Sequence, residues 1–215
     1  MAKTYKKQAL LTGVGSMFLD FMATEDEPQK APTYAGKVQE TPALDKLAVT
    51  LEVAEKKVYL SNILHTDISA VKSATITLDA AYFPEGFAEE AQGMVKIGGG
   101  WSMPTNPTKK AFRFAVPITD ENGDELILNF PKCTLSPVDI SAETEREDVS
   151  EQISQFNITG QPLVYRVEGG KTFVYHKLDL AIPENKTKYD RDKLLETGWY
   201  DTTTLEALVK AEAGE

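Results

Sequence analysis

Apolar side chains along this chain recur mostly with a period of two, the pattern of β-strands with one face buried. Val49, Leu51 and Val53 alternate with Thr50 and Glu52, and Ile76, Leu78 and Ala80 alternate with Thr75, Thr77 and Asp79. Phe112, Phe114 and Val116, then Leu126, Leu128 and Phe130, predict two further strands in phase. Asn122-Gly123 between them is the strongest hairpin signal in the chain. Residues 153–159 predict another strand, and residues 163–167 and 172–180 flank Glu168-Gly169-Gly170 as a further hairpin. Residues 56–73 lack turn glycines and predict a long, exposed excursion, with an extended hairpin as one form. Excursions of that length are usually functional or disordered.

Helical periodicity is local. Pro84 opens a helix predicted over residues 85–92, which Gly93 would cap. Phe83, Phe87 and Ala91 lie four apart and share its buried face. The triplet Gly98 to Gly100 predicts a bend or bulge from which Trp101 re-enters the core. Residues 139–151 hold six acids against Arg146 and predict a solvated connection. Beyond Pro183 the chain turns charged, with helical pieces near residues 190–196 and 204–213, expected to dock on a neighbour or on the core. The division is an arm (1–14), a β domain (15–183) and a C-terminal extension (184–215).

Composition narrows the functional classes. The 215 residues carry 23 Lys and Arg against 33 Asp and Glu, a net charge of −10. Such a surface repels phosphate, which argues against tight, sequence-independent nucleic-acid binding. The single cysteine, Cys133, excludes an intrachain disulfide and a multi-cysteine zinc site. No stretch approaches the roughly 18 apolar residues of a membrane span. Lys3, Lys6 and Lys7 ahead of residues 9–23 resemble the start of a secretory signal. Asp20 interrupts that run, and the alternation of Met17, Leu19 and Phe21 with Phe18, Asp20 and Met22 suits a strand, so an ordered N-terminal element is expected.

Catalytic patterns fail one by one. His65 and His176 stand in no metal-ligand spacing, and no Gly-x-Ser-x-Gly elbow exists. Asp120-x-Asn122-x-Asp124 starts like a calcium loop, but Glu125 and Pro131 occupy the places of its glycine and glutamate. Gly13-x-Gly15 and Gly98 to Gly100 lack the rest of a phosphate-binding motif. Cys133 is expected as a buried filler rather than a nucleophile. No enzyme, cofactor or metal site is expected.

Residues 15–165 resemble the major tail tube protein family of long-tailed, siphovirus-type bacteriophages. The similarity rests on Met17-Phe-Leu-Asp-Phe-Met-Ala-Thr-Glu-Asp26, Thr33-Tyr-Ala-Gly36, Ala74-Thr-Ile-Thr-Leu-Asp-Ala-Ala81, the helix near residues 83–93, and Gln155-Phe-Asn-Ile-Thr-Gly160. The resemblance implies a mainly β fold, a β-sandwich or partial barrel with one flanking α-helix, here followed by the partly helical extension. It also implies a structural, non-enzymatic subunit forming hexameric rings that stack into a DNA conduit. Its partners would be copies of itself, tail terminator, tail tip and tape-measure-type proteins, and passing DNA without tight binding. Its place would be the virion tail, after assembly in the host bacterial cytoplasm and without a membrane.

Under that resemblance Glu52 and Asp79 are the candidates for an acidic lumen. Lys56, Lys57, His65, Asp67 and Lys72 are the candidates for a ring-to-ring loop, although residues 56–73 are short for one. A one-residue register slip would invert the lumen assignment. The alternative is a carbohydrate-binding or adhesion module, with Trp101, Tyr165, Tyr175 and Trp199 as a sugar platform.

Overall fold

Strands dominate the computed structural model, which describes residues 9–60, 63–138, 153–166 and 168–210, and the side chains of all these except 56–60, 63–68 and 168. The strands are β1 (Leu11–Val14), β2 (Met17–Thr24), β3 (Thr33–Tyr34), β4 (Gln39–Thr41), β5 (Leu44–Leu60), β6 (Ile63–Ala80), β7 (Val95–Ile97), β8 (Gly100–Ser102), β9 (Phe112–Asp120), β10 (Glu125–Leu135), β11 (Ser154–Gly160) and β12 (His176–Asp179). Four short helices are α1 (Phe87–Gln92), α2 (Pro183–Lys188), α3 (Arg191–Glu196) and α4 (Thr202–Glu206). The fold is mainly β, as expected.

One large antiparallel sheet runs in the order β3-β2-β9-β10-β11-β6-β5, with β4 on β2, β1 on β9 and β12 on β10. The sheet curls, so β1 comes back near β5. Inside the curl, Met17 and Leu19 meet Ile76, Leu78, Phe112, Phe114, Phe130 and Ile158, all fully buried. The expected in-phase alternation of β9 and β10 is present, with Phe114 opposite Phe130 and Val116 opposite Leu128. Their hairpin turns at Gly123, whose φ of 81° needs glycine.

The helix starts two residues later than expected. Gly86 is left-handed at φ 75°, so the helical path begins only at Phe87. Phe87 and Ala91 are buried, and the Phe87 ring stacks on Phe21 at 4.2 Å. Gly93 ends the helix at φ 80°, and a Cβ there would lie 2.4 Å from the Thr108 carbonyl oxygen. Gly93→Ala is therefore expected to cost about 2–4 kcal/mol, from left-handed strain plus overpacking. A shift in the urea unfolding midpoint measures it, and an unchanged midpoint would contradict this account of the cap.

Two expectations near glycines are corrected. Gly98 to Gly100 form the tip of the separate two-stranded ribbon β7–β8, and Trp101 is only half-buried and belongs to no core cluster. Residues 163–166 form no strand, because the Val164 and Tyr165 N–H groups bond the Asp26 carboxylate instead of a ladder. Gly169 and Gly170 both have positive φ, so the chain turns there, and the later strand β12 pairs with β10. Cys133 is buried as expected, and burial pushes its thiol pKa up.

The C-terminal extension docks on this chain's own sheet. Leu180, Tyr189, Leu194, Leu195, Trp199 and Leu208 cover the outer face of β2, β9 and β10 over Phe18, Ala115 and Ile127. Asp190 caps α3 by accepting the Asp192 and Lys193 N–H groups, and Asp201 forms a capping box with Thr204 on α4. The second helix, expected over residues 204–213, is instead α4 and ends at Glu206, since the chain turns at Ala207 and Val209 bridges to Tyr189; residues 211–213 lie outside the described residues.

Candidate assembly surface

The residues singled out for ring contact lie on one long hairpin. β6 is sandwiched between β5 and β11 only from Ala74 to Ala80, where Gly160 to Ser154 pair with it. Beyond Ala74 the β5–β6 pairing continues alone, through Glu52 opposite Ser73 and Val53 opposite Val71, to Leu60 opposite Ile63. The expected excursion is thus a two-stranded arm, with shifts of register between Glu52 and Val53 and between Val58 and Tyr59. Strand periodicity sets Val49, Leu51 and Val53 on one face of β5, opposite Ile76, Ala74 and, past a shift of register that skips Lys72, Val71.

That face changes environment along its length. Near Ile76 and Leu78 it closes the core, whereas on the arm Leu51, Val53 and Val71 are 39, 49 and 46% exposed. Two-stranded hairpins with no third strand are marginal in water. The outer edge of β5 has no strand partner among the described residues, and such an edge is a ready template for another chain.

The opposite face is polar, and it holds both lumen candidates. Glu52 accepts hydrogen bonds from Ser73 Oγ at 2.8 Å and Thr75 Oγ1 at 3.3 Å. Asp79 accepts one from Gln155 Nε2 at 3.2 Å, and Thr77 Oγ1 donates to Asn157 Oδ1. The expected polar face is real, although Lys46 lies in register with Asp79 and makes it less uniformly acidic. Lys72 is exposed on the arm. Lys56 and Lys57 sit in β5 and His65 and Asp67 in β6, and their side chains lie outside the described residues. The connection expected over residues 139–151 and residues 1–8 of the N-terminal arm also lie outside the described residues.

The four aromatic residues of the alternative reading are not brought together. Trp199 is buried between the C-terminal extension, to which it belongs, and the sheet, with its Nε1 donating to the Leu194 carbonyl. Tyr175 stacks on Phe130, Tyr165 meets Tyr200 edge-on, and Trp101 lies beside α1. His176 is half-buried against Phe173 and Trp199, and its Nε2 has no hydrogen-bond partner among the described residues. Burial lowers its pKa, so it is neutral near pH 7.

Two internal anchors escaped the pattern analysis. Asp20 is buried on β2 and accepts the Gly36 and Lys37 N–H groups, which fastens the turn after β3. Asp26 is fully buried as a side chain and binds Lys132 Nζ at 2.7 Å. Aspartates inside apolar or turn-like segments were the available signal.

Against known proteins, no family model matches the sequence and no curated protein matches it. Among solved structures, a chain of the cryo-EM structure of the anti-feeding prophage (AFP) baseplate, 6-fold symmetrised, is similar over 83% of this chain and 97% of that one, at 8% identity and a TM-score of 0.34. No described helix is long and apolar enough to cross a membrane.

Proposed function

We propose that this protein is a structural phage tail tube subunit whose function is to assemble with copies of itself into rings, six-fold in the reading taken from the sequence resemblance, that stack as a conduit for DNA. The observation that carries the reading is the β5–β6 arm, a paired ribbon with an exposed apolar stripe and a strand edge that has no partner among the described residues. Joining that edge to an identical neighbour satisfies its backbone groups and covers Leu51, Val53 and Val71. The polar face with Glu52 and Asp79 then lines the bore, where carboxylates repel the DNA backbone and let it slide. Terminator, tip and tape-measure-type proteins are its further partners, and no chemical step is assigned to it.

Electron microscopy and sedimentation of the purified protein test this reading. Rings or tubes on the order of 100 Å across are expected from the subunit size and symmetry. The double variant Val53→Lys/Val71→Lys is expected to stay monomeric while its unfolding midpoint remains within about 0.5 kcal/mol of wild type, since both sites are exposed. A wild-type protein that stays monomeric at high concentration in every salt tried would overturn the assignment.

A further inference from the structure

A second apolar surface that is open among the described residues lies at α1, away from the β5–β6 arm. A groove of about 560 Å³ runs between α1 and the β7–β8 ribbon, floored by Phe83, Met94, Trp101, Met103, Val138 and Phe156. Its rim carries Glu85 and Glu89, whose carboxylates make no ion pair among the described residues. The neighbouring Glu90 is already paired with Lys110, and Lys96 is engaged over the Trp101 ring. The groove therefore offers apolar floor and unneutralised negative charge together.

Within a chain of net charge −10, the first eight residues are the complement. Met1-Ala-Lys3-Thr-Tyr5-Lys6-Lys7-Gln8 has three cations, no acid, and Met1 and Tyr5 as apolar groups. Residues 139–151, which follow Val138 at the groove, carry six acids and one arginine, so like charge opposes their settling between Glu85 and Glu89.

Topology says whose N-terminus fits. β1 runs antiparallel to β9, with Leu11 opposite Asp120 and Leu10 O accepting the Glu121 N–H. Leu10 thus lies at the β9–β10 turn, and residues 1–8 are joined to the fold at that end. α1 sits at the other end of β9, where Lys110 N–H bonds the Ala91 carbonyl. Leu10 and Leu11, 62 and 58% exposed, mark the point of departure. A segment leaving one end and a receptor at the opposite end make a head-to-tail contact, the kind that propagates along a stack.

We infer that residues 1–8 of one copy dock in the α1/β7–β8 groove of the next copy, with Lys3, Lys6 and Lys7 facing Glu85 and Glu89. This rests on the self-assembly reading above and names a second contact for it. The contact is ionic at its rim, so it weakens as salt rises.

A peptide titration tests it independently of polymerisation. The full-length Lys3→Glu/Lys6→Glu/Lys7→Glu protein, whose own N-terminus no longer fits, is titrated with a peptide of residues 1–12 while tryptophan emission is followed. A saturable change is expected, absent in the same protein carrying Trp101→Phe. Adding Glu85→Lys/Glu89→Lys is expected to weaken the peptide at least ten-fold, and a peptide with the three lysines changed to glutamate is expected to bind the protein that carries Glu85→Lys/Glu89→Lys alone, whose own lysines do not fit. Under conditions in which the wild-type protein assembles, the triple lysine variant is expected to give shorter stacks.

No Trp101-dependent change, or binding indifferent to Glu85 and Glu89, overturns the inference while leaving arm-driven ring formation untouched. A groove that takes a peptide of residues 139–151 in preference also overturns it. Failure of all assembly with intact peptide binding counts against the tube reading instead.

Discussion

Arg113→Ala is expected to release the C-terminal extension from the sheet and to lower the unfolding midpoint by about 10 °C, from a loss of about 3–5 kcal/mol. Arg113 is fully buried between Phe112 and Phe114 on β9, facing the side that the extension covers. Its Nη1 and Nη2 donate to the Leu195 and Leu194 carbonyls at 2.7 and 2.8 Å, and its Nε donates to Asn129 Oδ1 at 2.8 Å. Those carbonyls end α3, where helices leave acceptors unpaired. Asn129 completes the circuit by donating to the Trp199 carbonyl at 2.6 Å.

Burial pushes the Arg113 pKa down to about 10, which still leaves it charged at neutral pH. Truncation strands the Leu195 carbonyl and the Asn129 amide oxygen in a dry interface and leaves the Leu194 carbonyl with Trp199 Nε1 alone, and each lost charge-assisted bond is worth about 1.5–3 kcal/mol. Lysine cannot replace the three-way fork, so Arg113→Lys is expected to recover less than half of the loss. Proteolysis should then cut residues 180–210 ahead of the sheet. A variant with wild-type midpoint and wild-type protection of that segment would show that apolar packing alone holds it.

Arg113 also marks where sequence patterning stops. The strands of the large sheet are legible because alternation survives at Val49 to Val53, Ile76 to Ala80 and Phe112 to Val116, whose partners lie across a single face. The Asn122-Gly123 turn and the Gly93 cap are legible because few residues satisfy those backbones. By contrast, the docking of residues 184–210 depends on contacts separated by 82 residues, such as Arg113 to Leu195, and no local period encodes these. Residues 163–167 looked like a strand from their apolar content, but the competing acceptor, Asp26, lies 138 positions away from Val164.

The candidate surface divides the same way. Glu52 and Asp79 fall on one polar face because strand period alone puts them there. Where the arm leaves the core depends on β11 ending its pairing at Gly160, which is a property of the sheet rather than of residues 56–73. The groove beside α1 needs β8, Val138 and Phe156 to converge, so its residues, scattered from 83 to 156, carried no joint signal.

Asp26→Asn is the second large effect expected, about 3–5 kcal/mol at neutral pH, with a change in how stability depends on acid. One carboxylate oxygen binds Lys132 Nζ, and the other accepts the Val164 and Tyr165 N–H groups. Asparagine has only one acceptor oxygen, so its amide NH₂ must face either an ammonium or two N–H groups, donor against donor. Lys132, itself only 11% exposed, is then left without its buried counter-charge.

Burial alone would raise the Asp26 pKa, but the hydrogen bond and charge of Lys132, with the two backbone donors, outweigh it and hold the pKa below 3.8. The folded protein therefore binds this proton less readily than the unfolded chain. The pair's stabilisation is complete above about pH 4, the unfolded carboxylate range, and is lost as pH falls through the lower folded value. Asp26→Asn should remove that part of the acid slope, whereas Lys132→Met should keep a weakened one because the backbone donors remain. Urea midpoints between pH 2 and 7 for both single variants and the double variant give the coupling energy. Additive losses, with the acid slope of wild type unchanged in Asp26→Asn, would mean that the loop at residues 24–32 is held by its packing and not by this ion pair.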